Sequence, residues 1–149
     1  MTISIGSDHA GFAYKEALKA MLVAEGHEVI DVGTHSEERA DYPDYGVAAA
    51  RLVANGTARY GVLVCGSGIG ISIAANKVHG IRAANCVTVE MAQLARQHND
   101  ANMVAIGQRL VSEVDAKAIV KAFLTTDFEG GRHAQRVEKI HALGEGAPS

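Results

Sequence analysis

Cys65 ends an apolar run and leads straight into Gly66, Gly68 and Gly70 in the stretch GVLVCGSGIGISIAANK. Alternating glycines allow tight, partly left-handed backbone and close approach of a ligand to the main chain, and a helix starting behind them aims free N–H groups at the same spot. Such a loop receives negative charge. The third glycine comes one residue too early for the dinucleotide fingerprint, since Ile71 stands where that glycine belongs, and a Walker loop would need a Gly-Lys-Ser/Thr ending. A Cys-x5-Arg phosphatase loop would likewise need arginine in place of Ile71, so a permanent phosphate dianion is poorly matched. A small or transient negative charge fits better. Backbone donors and the helix dipole favour a thiolate at Cys65, which makes it a candidate base or nucleophile. The competing reading is a small buried hydrophobe closing a strand. The glycine loop weighs for chemistry at Cys65, and the lack of one after Cys86 weighs for packing there.

Other polar groups have two readings each. In GSDHAGF, Asp8 caps a helix or serves a site, while His9 beside it is not required for capping. His98 continues Met91, Leu94 and Ala95 at helical spacing, which makes it a satisfied core histidine or part of a site at a subunit interface. Arg132 and Arg136 share a helical face and repel unless an anion lies between them. Two such guanidiniums suit a phosphate, whereas pairing with Glu129 or Glu138 would make them ordinary surface charge. Tyr42 in RADYPDYG and Arg109 in IGQRL are further candidates, with loop packing and surface charge as their alternatives.

Positioning these groups requires a scaffold, and the pattern supplies one. Short β-rich runs alternate with helical ones: ISIGS before residues 11–25, EVIDVG before 44–54, GVLVC before 69–78, IRAANC before 89–98, MVAIG before 111–125. Five such units predict parallel strands with crossover helices, and uniformly apolar strands predict cover on both faces. The fold class is α/β, a Rossmann-like doubly wound five-stranded sheet, with ligands expected beyond the carboxyl ends of the strands. Three of those ends carry Asp8 with His9, Cys65, and Asn85 with Cys86. An extra helix over EGGRHAQRVEKIHAL must dock on its own subunit or a partner, and GEGAPS is expected to fray.

The 149 residues, 48% hydrophobic and without a linker, predict one domain over 1–149. A net charge of −3 with dispersed Lys and Arg weighs against a nucleic-acid partner. No apolar run approaches the roughly 18 to 20 residues of a membrane span, and MTISIGSDHAGF lacks the plan of a signal peptide, so no membrane partner and a cytoplasmic location are expected. Two cysteines make no disulfide framework, and no Cys-x-x-Cys or His-x-x-x-His spacing supports a metal site.

Taken together, SDHAG, DYPDY, CGSGIGISIAANK, GIRAA, ARQHNDANMVAIGQR and EGGRHAQRVEKI resemble, in order and over nearly the whole chain, the type B ribose-5-phosphate isomerase family. The resemblance implies a homodimer with shared active sites, a dimer of dimers being left open, that interconverts ribose 5-phosphate and ribulose 5-phosphate without metal or organic cofactor. It implies Cys65 as the base, with Ser67 and the amides around Gly66, Gly68 and Gly70 holding the enediolate. It implies His98 and Asp8 in opening the furanose ring, His9, Arg132 and Arg136 on the phosphate, and Asn99 and Arg109 as supporting contacts. One branch of that family carries a glutamate base where Ile71 stands, so this chain resembles the cysteine branch. The residue chemistry agrees, because isomerisation creates an oxyanion only in transit, suited to neutral N–H donors, while a remote phosphate grip positions the reacting carbons. The alternatives are a hexose 6-phosphate isomerase acting on allose or galactose 6-phosphate, a phosphocysteine carrier, and a noncatalytic sugar-phosphate binding module.

Overall fold

In the computed structural model, which describes residues 1–144, the expected strands pair in one parallel sheet. They are β1 (Thr2–Ser7), β2 (Glu28–Asp31), β3 (Tyr60–Cys65), β4 (Ala83–Asn85) and β5 (Met103–Gly107), in the order β2-β1-β3-β5-β4. The intervening helices are α1 (Phe12–Ala24), α2 (Tyr42–Ala54), α3 (Ile69–Ala75), α4 (Val89–Asn99) and α5 (Glu113–Leu124), with α6 (Arg132–Ala142) beyond the last unit. All but the first residue of the expected frayed tail fall outside the described residues.

Strand order decides which face each helix covers. A crossover between parallel strands is right-handed, so helices connecting strands laid down in opposite directions land on opposite faces. Leu18 and Leu22 of α1, Ala92 of α4 and Ile119 and Phe123 of α5 fill the core on one side. Ala49, Ala50 and Val53 of α2 and Ile71 and Ala75 of α3 fill it on the other. The strands alternate between the two: Val62 and Val64 face the first core, Leu63 and Cys65 the second.

Several expectations are corrected. Only β3 and β5 are buried throughout, while β2 and β4 are the sheet edges and only partly covered. β2 stops at Asp31 because Gly33, at φ 104°, leaves the extended region. α3 ends at Ala75 rather than at Val78, because the Asn76 amide turns to Ala83, donating to its carbonyl at 3.0 Å and accepting from its N–H at 2.7 Å. On α4 the buried side is Ala92, Ala95 and Arg96, so Met91 and Leu94 are not core residues; each is 40% exposed. Small alanines let α4 lie close to its neighbours, and the bulkier stripe ending in His98 faces outward. The extra helix α6 docks on α4 of its own chain, burying His133 and Val137.

Behind the sheet's first crossover lies a buried ion pair. Lys15 of α1 is fully buried and donates to Asp31 Oδ2 at 2.6 Å, with Lys19 reaching the same oxygen at 3.2 Å. Gly33 N–H donates to the other oxygen at 2.9 Å. Burial alone would raise the Asp31 pKa, but Lys15, the Gly33 amide and Lys19 outweigh it and hold the carboxyl below its ordinary range. A depressed carboxyl stabilises the fold above its unfolded pKa of about 4, and that contribution is lost as pH falls through the folded value. Asp31→Asn should cost about 3 kcal/mol at pH 7, since Lys15 keeps only the half-exposed Glu16. Urea denaturation should also show a weaker loss of stability from pH 7 to 3 in the variant than in the parent.

Candidate active site

A cavity of about 500 Å³ opens at the carboxyl ends of β1, β3 and β5. Of the expected site residues it brings together Asp8, His9, Tyr42, Cys65, Gly66, Ser67, Gly70 and Arg109. Ala10, Ile69 and Leu110 also line it. The position of Leu110 just past a strand's end was the available signal for it. Ile69, between two loop glycines, shows that the cavity mouth has an apolar rim.

Cys65 forms part of the cavity wall with only 4% of its surface exposed. Gly68 N–H donates to its Sγ at 3.1 Å. Gly68 adopts φ 79°, and a Cβ there would meet Asn85 Oδ1 at 2.5 Å, so the turn that delivers this N–H requires glycine. Among the described residues the N–H groups of Gly66 and Ser67 have no hydrogen-bond partner. Ser67 Oγ accepts from Ile69 N–H at 3.1 Å, which leaves its hydroxyl proton available. The loop thus combines a sulfur, two free amides and a hydroxyl within one turn of chain.

The walls are set by neighbouring strand ends. Past β5, Gln108 and Arg109 donate backbone N–H groups to Cys65 O at 2.9 Å and Gly66 O at 3.0 Å. That stitching lays the Arg109 guanidinium on Gly66, where Nη1 would be 3.0 Å from a Cβ. Tyr42, opening α2, lays its ring on Gly70, whose Cβ would come within 2.5 Å of the ring's Cζ. Asp8 Oδ1 caps the 3₁₀ turn His9–Gly11 by accepting from Gly11 N–H at 3.1 Å, and the residue also lines the cavity. His9 Nδ1 is 3.1 Å from both the N–H and the carbonyl oxygen of Ala40. Neutral, it accepts from the N–H and keeps its proton on Nε2; charged, it donates to the carbonyl, so the ring is tethered in either state. Ile71, at the position of the other branch's glutamate, is fully buried, packed where Gly46 lacks a Cβ. Cys86 is buried, donates weakly to Ala84 O at 3.7 Å, and is pushed up to about 11 by burial, as suits a packing residue.

The remaining expected residues lie outside this cavity in the same chain. His98 is not a core histidine: its side chain is 39% exposed and stacks on His133, centroids 4.3 Å apart and planes 14° from parallel. Asn99 borders a separate cavity of about 470 Å³ with Ile81, Arg82 and Ile140. Arg132 and Arg136 are exposed and, among the described residues, pair with neither Glu129 nor Glu138. Glu129 instead sits 3.7 Å from both histidines. Burial first, then the charges of His98 and Arg132, hold His133 below the ordinary histidine range. His98, Glu129 and His133 are also the grouping whose donor atoms come within 4.8 Å of one another, as a metal would need. Imidazole lone pairs lie in the ring plane, and two nearly parallel stacked rings cannot both aim at one ion. The reactive half and the cationic half of the expected site therefore occupy different places on one chain.

The comparisons with known proteins bear on this arrangement. Residues 3–140 match the family described as Ribose/Galactose Isomerase. The chain is 54% identical over 141 residues to ribose-5-phosphate isomerase B of Escherichia coli (strain K12), covering 95% of both chains. It superposes on ribose-5-phosphate isomerase B of Clostridium thermocellum with a TM-score of 0.97 and 49% identity, covering 99% of this chain and 100% of the other. A Mycoplasma genitalium ribose-5-phosphate isomerase B, solved with bound ribulose 5-phosphate, superposes with a TM-score of 0.93 and 38% identity over 97% of this chain and 96% of its own. With similarity running from the first strand to α6, this chain belongs to the ribose/galactose isomerase family.

Proposed function

We propose that the chain interconverts ribose 5-phosphate and ribulose 5-phosphate, with Cys65 as the base. The observation that carries this is the Cys65 thiol held by the Gly68 amide beside the unpaired amides of Gly66 and Ser67. In the aldose-to-ketose direction the Cys65 thiolate takes the proton from C2, the C2–H electrons form the enediolate, and the charge spreads over the two oxygens. The amides of Gly66 and Ser67 and the Ser67 hydroxyl stabilise that charge where it develops. A proton passes from the C2 oxygen to the C1 oxygen, and the thiol returns the proton it took to C1, leaving a carbonyl at C2 and a hydroxyl at C1. No redox partner is required, since one carbon is oxidised as its neighbour is reduced. Asp8 and His98 assist ring opening, and Tyr42, Asn99 and Arg109 support the bound sugar. The phosphate is held by His9, whose tether to Ala40 fixes its ring, and by Arg132 and Arg136, whose charges are unpaired among the described residues.

The two halves of the site belong to a homodimer in this reading. Val87, Val89, Met91 and Leu94 are 43%, 37%, 40% and 40% exposed, an apolar stripe that leads along α4 to His98 and suits cover by a second copy. Such cover would bring His98, Asn99, Arg132 and Arg136 of one subunit to the Cys65 cavity of the other. Among the described residues no helix is long and apolar enough to cross a membrane, and the unpaired thiols of Cys65 and Cys86 suit the reducing cytoplasm.

A coupled isomerase assay without added metal, run across pentose 5-phosphates and hexose 6-phosphates, tests the reaction and the hexose alternative together. Turnover of ribose 5-phosphate should exceed that of allose or galactose 6-phosphate. Cys65→Ala should lower turnover by about 100- to 10,000-fold or more while calorimetry still shows substrate binding; ordinary turnover would remove Cys65 from the mechanism. Mixing inactive Cys65→Ala and His98→Ala chains under subunit exchange tests the shared site. Random pairing makes half the dimers mixed, each with one intact site, so activity should recover to roughly a quarter of the parent. No recovery, with mixed dimers seen by native mass spectrometry, would place both residues in one subunit's site.

A further inference from the structure

His98 stacks on His133 beside Glu129, and neither His133 nor Glu129 has a part in the isomerase chemistry described above. His98 on α4 and His133 on α6 lie face to face, centroids 4.3 Å apart, and Nε2 of each is 3.7 Å from the same atom, Oε1 of Glu129. At 3.7 Å these are not hydrogen bonds, so the three groups act on one another through charge. Two imidazolium rings at that separation repel, while one carboxylate compensates one positive charge and not two. Arg132 and Arg136 on α6 add further positive charge near His133. His133 has little water to offset this, its side chain being 10% exposed, whereas His98 is more open at 39%.

We propose that His98 and His133 share a single proton, with Glu129 as its counter-ion, and that His133 and Glu129 are positioning residues that keep His98 able both to give and to take a proton. The proposal rests on the reading of His98 as a group that assists ring opening. Opening a furanose breaks the bond between C1 and the ring oxygen, delivers a proton to that oxygen and removes one from the C1 hydroxyl. A histidine serves such a step only if neither form is locked. Glu129 alone would hold His98 charged, and the stack alone would expel its proton. Facing each other across the same ring, the two effects offset. Because the groups titrate together, the steps belong to the pair and not to either ring.

The test is nuclear magnetic resonance of the imidazole ring signals of the full chain as a function of pH, in the parent, His133→Gln and Glu129→Gln. In the parent, both histidines should respond in the same two steps. In His133→Gln, His98 should change in one step displaced to higher pH, because Glu129 then serves it alone. Glu129→Gln should displace the curve the opposite way, and this exposed position keeps the test open if the buried His133 substitution fails to fold. The acid limb of kcat/KM for ribose 5-phosphate should move in the same directions. A one-step His98 curve that coincides in all three proteins overturns the shared proton. Ring curves that move while the kcat/KM limb stays fixed overturn the positioning role. A fully active His98→Gln variant overturns the assignment of His98 itself, so failure of the underlying reading is told apart from failure of the proposal.

Discussion

The handedness of the crossovers is the constraint on which the rest depends. β3 lies between β1 and β5, and the helix after β3 drops to one face of the sheet while those after β1 and β5 go to the other. The chain therefore diverges on both sides of Cys65. The space left open is walled by Asp8 and His9 from one neighbour and by Arg109 and Leu110 from the other. No special loop was needed to make the cavity. The glycine loop only furnishes its floor with N–H groups.

The cavity walls are held in turn from behind. α1 starts directly after the 3₁₀ turn His9–Gly11, and Lys15 ties that helix to Asp31 at the end of β2. The chain continues from Asp31 into Gly33, whose carbonyl accepts from Ser7 N–H at 2.8 Å, and on to Ala40, which holds His9. A buried charge pair rarely adds much net stability, because desolvation offsets attraction. Here its value is directional. The α1 start, the β2 exit and the His9 ring all connect back to the Asp31 carboxylate, so the ion pair helps fix where the His9 imidazole stands.

Much of this was legible in the sequence because the signals were local. The five βα units, the glycine loop at Cys65 and the polar residues at strand ends all follow from period, composition and neighbours. Element ends were less legible, since Asn76 ends α3 through a bond to Ala83 across a turn, and no propensity carries that information. The α4 face stayed open between core and interface for a similar reason. Met91 and Leu94 look like core by spacing, but core membership depends on which side meets the sheet, and the alanine side does. The pairing of Arg132 and Arg136 with nearby glutamates was equally a matter of rotamer and docking. Glu129 turned to two histidines, one of them far away in sequence. The type B ribose-5-phosphate isomerase resemblance reached the family directly, because several motifs in order are far more specific than any one of them.

The burial of Ile71 bears on how such a catalyst could change its base. Its side chain has no exposed surface and occupies the space that Gly46 leaves by having no Cβ. A carboxylate substituted there would enter an apolar layer between α2 and α3, lose its water, and find no cation waiting. With Cys65 as the proposed base, passing that role to residue 71 is thus not a one-step exchange in this scaffold. It would require the α2 side of the layer to change first, so the two chemistries are separated by a barrier in packing rather than in reactivity, and a lineage is held to the base its core already accommodates.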